Sequence, residues 1–147
     1  MKKYKFKSNT ERDAFLDWLE RHAKNLTAAA RMTNYSLVRI RSLKLPTKNA
    51  MEVDVDHKYL NFTLDYNPAW AAEYWQKKEY EELLSVLAHE IAHLATSEAD
   101  DKLIYISSSK ERSFYFERLT ELTSRWLYRY YFDSYMETYD IKLSPKK

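Results

Sequence analysis

The stretch Leu83-Leu84-Ser85-Val86-Leu87-Ala88-His89-Glu90-Ile91-Ala92-His93-Leu94-Ala95-Thr96 decides how the rest of this chain is read. Tyr80, Leu83, Leu84, Leu87, Ile91 and Leu94 recur at the three-and-four spacing of one apolar helical face. A wheel centred on Leu87 sets His89 and His93 away from that stripe, with Glu90 at its margin. The two histidines fall about one turn apart, offset by roughly 40° around the axis. Their imidazoles can close on one metal ion at roughly 2.0–2.1 Å, the distance zinc asks of nitrogen ligands. Glu90 need not ligate, because its carboxylate can take a proton from a water the metal polarises and return it to a leaving amine. One helix thus carries a core face and a face for metal chemistry.

The 147 residues suffice for one domain with a sizeable core, and the reading is a single unit over 1–147. Hydrophobic residues at 45% and aromatics at 16% exclude a disordered chain. No apolar run reaches membrane-spanning length, and the basic start Met1-Lys2-Lys3-Tyr4-Lys5-Phe6-Lys7 is not followed by a signal-peptide core. The expectation is a soluble, cytoplasmic protein with no membrane partner. Cysteine is absent, so any metal must be held by His, Asp or Glu. Glycine is absent too, which excludes glycine-rich phosphate loops and leaves turns to Asn, Asp, Ser and Pro.

Outward from the central stretch, Ser8-x-x-Glu11 is a capping box, and Phe15, Trp18, Leu19, His22, Leu26 and Ala29 predict a helix over 9–31. His22 lies on that apolar stripe and reads as a packing residue. Val38 and Ile40 alternate with Arg39 and Arg41 in a first strand. Met51, Val53 and Val55 alternate with Glu52, Asp54 and Asp56, and Leu60, Phe62, Leu64 and Tyr66 alternate with Asn61, Thr63 and Asp65. These two runs predict an antiparallel hairpin. His57 at its tip reads as a solvated turn residue, with a ligand role as the alternative. Asn67-Pro68 opens a helical segment that leads, with a bend, into the histidine helix, expected to end near Ser97. No period is visible over 98–107. Ser108-x-x-Glu111 then caps a helix to about Tyr139, with Tyr115, Leu119, Leu122, Trp126 and Tyr130 on one face and Glu117 and Glu121 on the opposite one. The basic residues 1–7 and the tail 140–147 are expected to be peripheral.

Two histidines make a poor catalytic zinc site, which needs a third protein ligand and one open position. Glu117 and Glu121 are the candidates. If their helix packs antiparallel to the first, Glu117 comes nearer His93 by about one pitch, roughly 6 Å. The favoured set is His89, His93 and Glu117, with Glu121 orienting an imidazole; the reverse assignment stays open.

A hairpin, a helix bearing His89-Glu90-x-x-His93 and a helix bearing Glu117-x-x-x-Glu121 resemble the gluzincin class of zinc metallopeptidases. The segment Leu87-Ala88-His89-Glu90-Ile91-Ala92-His93-Leu94 looks most like the minimal single-domain HExxH proteins of phages and mobile elements. The metzincin third histidine is missing, since Thr96 and Ala99 hold its glycine and histidine positions, and Phe116 replaces the asparagine that thermolysin-like enzymes carry before the glutamate ligand. The resemblance implies an α+β, zincin-like fold: a small antiparallel sheet of about three strands packed with the N-terminal, HExxH and long C-terminal helices. It implies Zn2+ as cofactor, Glu90 as catalytic base and a protein or peptide substrate. It also implies that the strand before the active-site helix, here Leu60, Asn61, Phe62, Thr63 and Leu64, is a sheet edge to which substrate adds. An oxyanion partner is implied as well, for which Tyr105, Tyr128 and Tyr131 are candidates without a choice among them. Two other readings remain: a zinc-binding interaction module of the same fold, and a nucleic-acid-binding domain using Lys2, Lys3, Lys5, Lys7, Arg31, Arg39 and Arg41 with Tyr4, Phe6 and Tyr35. The net charge of +2 is small for the latter.

Overall fold

A computed structural model describes residues 4–45, 49–103 and 109–145, with side chains described except at 98–103 and 109–113. Helix α1, Asn9–Ala29, starts where Ser8 Oγ accepts the Glu11 N–H at 3.1 Å. The returning bond of the box is donated by the Lys7 N–H, one residue before the cap, to Glu11 Oε1 at 3.0 Å. Phe15, Trp18, Leu19, Ala23 and Leu26 of α1 are completely buried.

Strands β1, Ser36–Ser42, β2, Met51–Asp56, and β3, Asn61–Tyr66, form one sheet in the order β1-β3-β2. The expected hairpin is present: β2 and β3 pair antiparallel, Val53 opposite Leu64 and Val55 opposite Phe62. The sheet is mixed rather than antiparallel, because β1 joins β3 parallel, with Ile40 opposite Leu64 and Arg41 opposite Asp65. It follows that the expected edge, Leu60 to Leu64, is not an edge. Leu60 is a turn residue, and Asn61, Phe62, Thr63 and Leu64 lie in the central strand. Phe62, Leu64, Asp65 and Tyr66 are all buried, as a strand flanked on both sides requires. Asp65 takes the Arg41 guanidinium in a two-pronged bond at 2.8 and 3.1 Å.

Helix α2, Pro68–Gln76, begins on the Asn67 side chain and hands over to α3, Tyr80–Leu103, through the left-handed residue Lys78. The histidine helix thus runs past the expected stop at Ser97, because no breaker stands among Glu98, Ala99, Asp100 and Asp101. Helix α4, Ser109–Tyr130, continues through a single π-turn, Tyr131–Tyr135, into the short α5, Met136–Thr138. The π-turn adds one residue, the Met136 N–H bonding to the Tyr131 carbonyl, and lets both Tyr131 and Met136 face the core.

The face by which α4 packs differs from the expected one. Phe116, Thr120, Ser124, Leu127 and Tyr131 are buried, whereas Tyr115, Leu122, Trp126 and Tyr130 face outward. Thr120 and Thr96 share a 2.8 Å hydrogen bond between α4 and α3, an approach that bulky side chains would prevent. Neither chain end is peripheral within the described residues. Phe6 packs on Phe15, ring centroids 5.3 Å apart, and the Leu143 carbonyl accepts the Trp18 indole N–H at 2.7 Å.

Candidate metal centre

Helix α3 brings His89 and His93 onto one side, their ring centroids 4.8 Å apart and their planes crossing at 86°. Glu90 lies between them in sequence and is only 8% exposed. Donor atoms of His89, Glu90 and His93 lie within 4.8 Å of one another, the one such group among the described residues. Burial pushes the Glu90 carboxyl up to about 8; the Val53 N–H opposes the shift, and Glu52 and Glu117 add to it. Burial also lowers the His93 imidazole, helped by His89 and opposed by Glu117. A neutral imidazole keeps its lone pair, and a desolvated carboxyl among other acids gains most from a cation. The donor set therefore fits a divalent metal with nitrogen and oxygen preference.

The second wall comes from the sheet. The Asn67 N–H bonds to the Ala50 carbonyl, which sets the phase of the β2–β3 ladder: Glu52, Asp54 and Asp56 bond inward to β3. Met51, Val53 and Val55 consequently turn their backbone groups outward, along an edge that no described strand covers. Val53 meets Glu90 there, its N–H donating to Oε2 at 3.0 Å. The edge beside the histidines is thus β2. Half of a signal for this was present in the sequence: acids at every second position of β2 are typical of an edge, but β3 alternates polar and apolar residues as well and lacks the continuous apolar run that would mark a centre.

An open cleft of about 640 Å³ lies between β2, α3 and α4, lined by His89, Glu90 and His93 together with Glu52, Phe116 and Glu117. Glu117 acts electrostatically on both Glu90 and His93, although its carboxylate lies outside the compact three-residue group. Glu121 does not line this cleft: it holds Arg125 at 2.6 Å and borders an adjoining depression that shares His89 and Glu117 with the cleft. Asn49, Thr96 and Thr120 also line the cleft and were not singled out from sequence.

The remaining expected candidates sit away from it. His57 Nδ1 pairs with the Tyr35 hydroxyl at 3.0 Å, as a turn residue does. His22 is fully buried, its Nδ1 2.7 Å from the Tyr131 hydroxyl, so Tyr131 is a core residue. Tyr128 stacks on Phe132 at 5.8 Å and does not line the cleft. Tyr105 lies outside the described residues.

The coarse class that these elements define is α+β: four main helices around a three-stranded mixed sheet. No family model matches the sequence, and no curated protein or solved structure matches it significantly. No described helix is long and apolar enough to cross a membrane.

Proposed function

We propose that the protein is a zinc-dependent peptidase of gluzincin type. The observation that carries this reading is the convergence of two imidazoles and a buried carboxyl, donor atoms within 4.8 Å, on a cleft bordered by a free strand edge. His89 and His93 would hold the ion, with Glu117 as third ligand in preference to Glu121, because Glu117 lines the cleft and Glu121 is engaged by Arg125. When bound, zinc supplies Lewis acidity toward a scissile carbonyl and makes a water easier to deprotonate.

The chain's own groups do the rest. Outward backbone groups of Met51 and Val55, with the Val53 carbonyl, can hold an extended peptide as an added strand while the Val53 N–H stays on Glu90. Glu90 Oε2 is held by Val53, which fixes the carboxyl and leaves Oε1 to take the water proton and pass it to the departing amine. Burial favours the protonated state of Glu90, and an adjacent cation works against that preference. Thr96, Thr120 and Phe116 line the far wall.

A second reading, a metal-binding module without turnover, is favoured by the bond that already engages Glu90 with Val53. One experiment separates the two. Zinc content and cleavage of a denatured protein substrate are measured for the wild type, Glu90→Gln, His93→Ala, Glu117→Ala and Glu121→Ala. The peptidase reading expects Glu90→Gln to keep zinc and lose cleavage by about 10²-fold or more. It expects His93→Ala and Glu117→Ala to lose the metal and Glu121→Ala to retain it. Zinc-loaded wild type that cleaves nothing would leave the module reading standing.

A further inference from the structure

Helix α4 presents an apolar stripe away from both core and cleft. Tyr115 is 63% exposed, Leu122 51%, Trp126 59% and Tyr130 37%, with half-buried Leu119 between them. Tyr115, Leu119, Leu122 and Trp126 follow one another at spacings of four, three and four, the rhythm by which one helix packs along another. Trp126 and Tyr130 already stack, centroids 5.4 Å apart and planes within 10°, which gives the stripe a rigid aromatic end. Arg118, Arg125 and Arg129 run beside it as an exposed ridge.

We infer that this face pairs with the same face of a second copy, α4 against α4 in antiparallel sense about a two-fold axis beside Leu122. In that register Arg129 falls opposite Tyr115 of the second copy, Arg118 opposite its Trp126 and Arg125 opposite its Leu119. Two of the three arginines thus meet an aromatic ring, the favourable contact for a guanidinium. The same register sets Arg118 beside Arg125 of the second copy, a like-charge contact that Glu121, 2.6 Å from Arg125, offsets. An isologous interface needs such self-complementarity: the contact of one residue with another is repeated with the roles exchanged. The area is adequate. The four exposed side chains leave roughly 400 Å² uncovered, if each exposes roughly 150–250 Å² when bare. Two such faces with their arginine rims bury on the order of 1,000 Å², the lower bound for a specific interface. Glu117 lies on the far side of α4 from the stripe, so pairing leaves the cleft open whether or not the peptidase reading holds.

The test is sedimentation of the full chain from about 1 to 100 µM, a range that brackets an interface of this size. The mass should move from 17.8 kDa toward twice that value, and it should do so in high salt as well as low. Leu122→Glu and Trp126→Glu, both at exposed positions, should each weaken association about 30-fold or more with unchanged helical circular dichroism. Because the chain has no cysteine, Leu122→Cys introduces a single thiol beside its own copy. Under diamide, two such thiols should be oxidised to one disulfide, giving a covalent dimer, whereas Tyr59→Cys should not. A chain that stays monomeric throughout overturns the inference, as does a dimer indifferent to both glutamate substitutions. A monomer that instead floats with phosphatidylserine vesicles assigns the face to lipid. A dimer whose Leu122→Cys variant fails to cross-link refutes the two-fold register.

Discussion

At the scale of single residues, two buried titratable groups oppose each other across the pH range. Glu90 rises from its ordinary 4.5 to about 8 on folding, so the native state binds more protons than the unfolded one between those values. Its contribution is present below pH 4.5 and is lost as pH climbs through 8. In chelator-treated protein Glu90→Gln should therefore be the more stable, by about 3 kcal/mol at pH 7 and by almost nothing at pH 4.5. Thermal unfolding of both proteins at the two pH values measures this; an equal gap at both would contradict it. His22 runs the other way, lowered from 6.5 to about 4 by burial first and Arg21 second, with the Leu143 carbonyl opposing. The native state binds fewer protons there, so stability is present above pH 6.5 and fades as pH falls toward 4. The loss amounts to about 3 kcal/mol, and His22→Gln should flatten it in urea titrations across that window.

At the scale of elements, three helices finish in the same way without glycine. After α1, α2 and α5 the C′ residue is left-handed: Arg31 at φ 60°, Lys78 at 57° and Asp140 at 52°. The closing bonds of a Schellman motif are present each time, as in Glu79 N–H to the Tyr74 carbonyl at 3.0 Å and Met32 N–H to the Thr27 carbonyl at 2.9 Å. A side chain in that conformation costs roughly 1–2 kcal/mol, part of which glycine gives back as chain entropy. Lys78→Gly should raise stability by about 0.5–1 kcal/mol by denaturant unfolding. Helix starts, the hairpin and the HExxH helix were readable because Ser8, Asn67 and the alternating apolar residues carry local signals. The left-handed stops were not readable, since Arg and Lys announce no turn. The buried face of α4 was not readable either. Periodicity favours the bulky Tyr115, Leu122 and Trp126, while close packing on α3 selects Thr120 and Ser124, whose small size is no signal in one dimension.

For the whole molecule, the proposed metal would couple site to fold. The ion would join α3 to α4 and relieve the buried Glu90, so it should act as a folding ligand. Zinc at a thousandfold its dissociation constant should add about 4 kcal/mol. Protons compete for the same imidazoles, and occupancy should decline below about pH 6. The lowered His93 delays its share of that loss. Metal analysis after dialysis from pH 7.5 to 4.5 tests the point, and full occupancy at the acid end would contradict it. The site itself was legible as far as His89, Glu90 and His93, which one helix brings together. Its opposite wall was not, because the order of strands depends on a parallel pairing between segments 20 or more residues apart, Ser36 with Asn61 among them.

The Val53 to Glu90 bond has a bearing on self-assembly. An open β edge is a template on which a neighbouring chain can crystallise into stacked ribbons, and proteins protect such borders with charge or with a plug. Here the plug is the Glu90 carboxyl, the base of the proposed reaction. A guest strand that claims the Val53 amide must first displace the carboxyl, and a variant with nothing at position 90 to occupy that amide would leave the border open to its own kind.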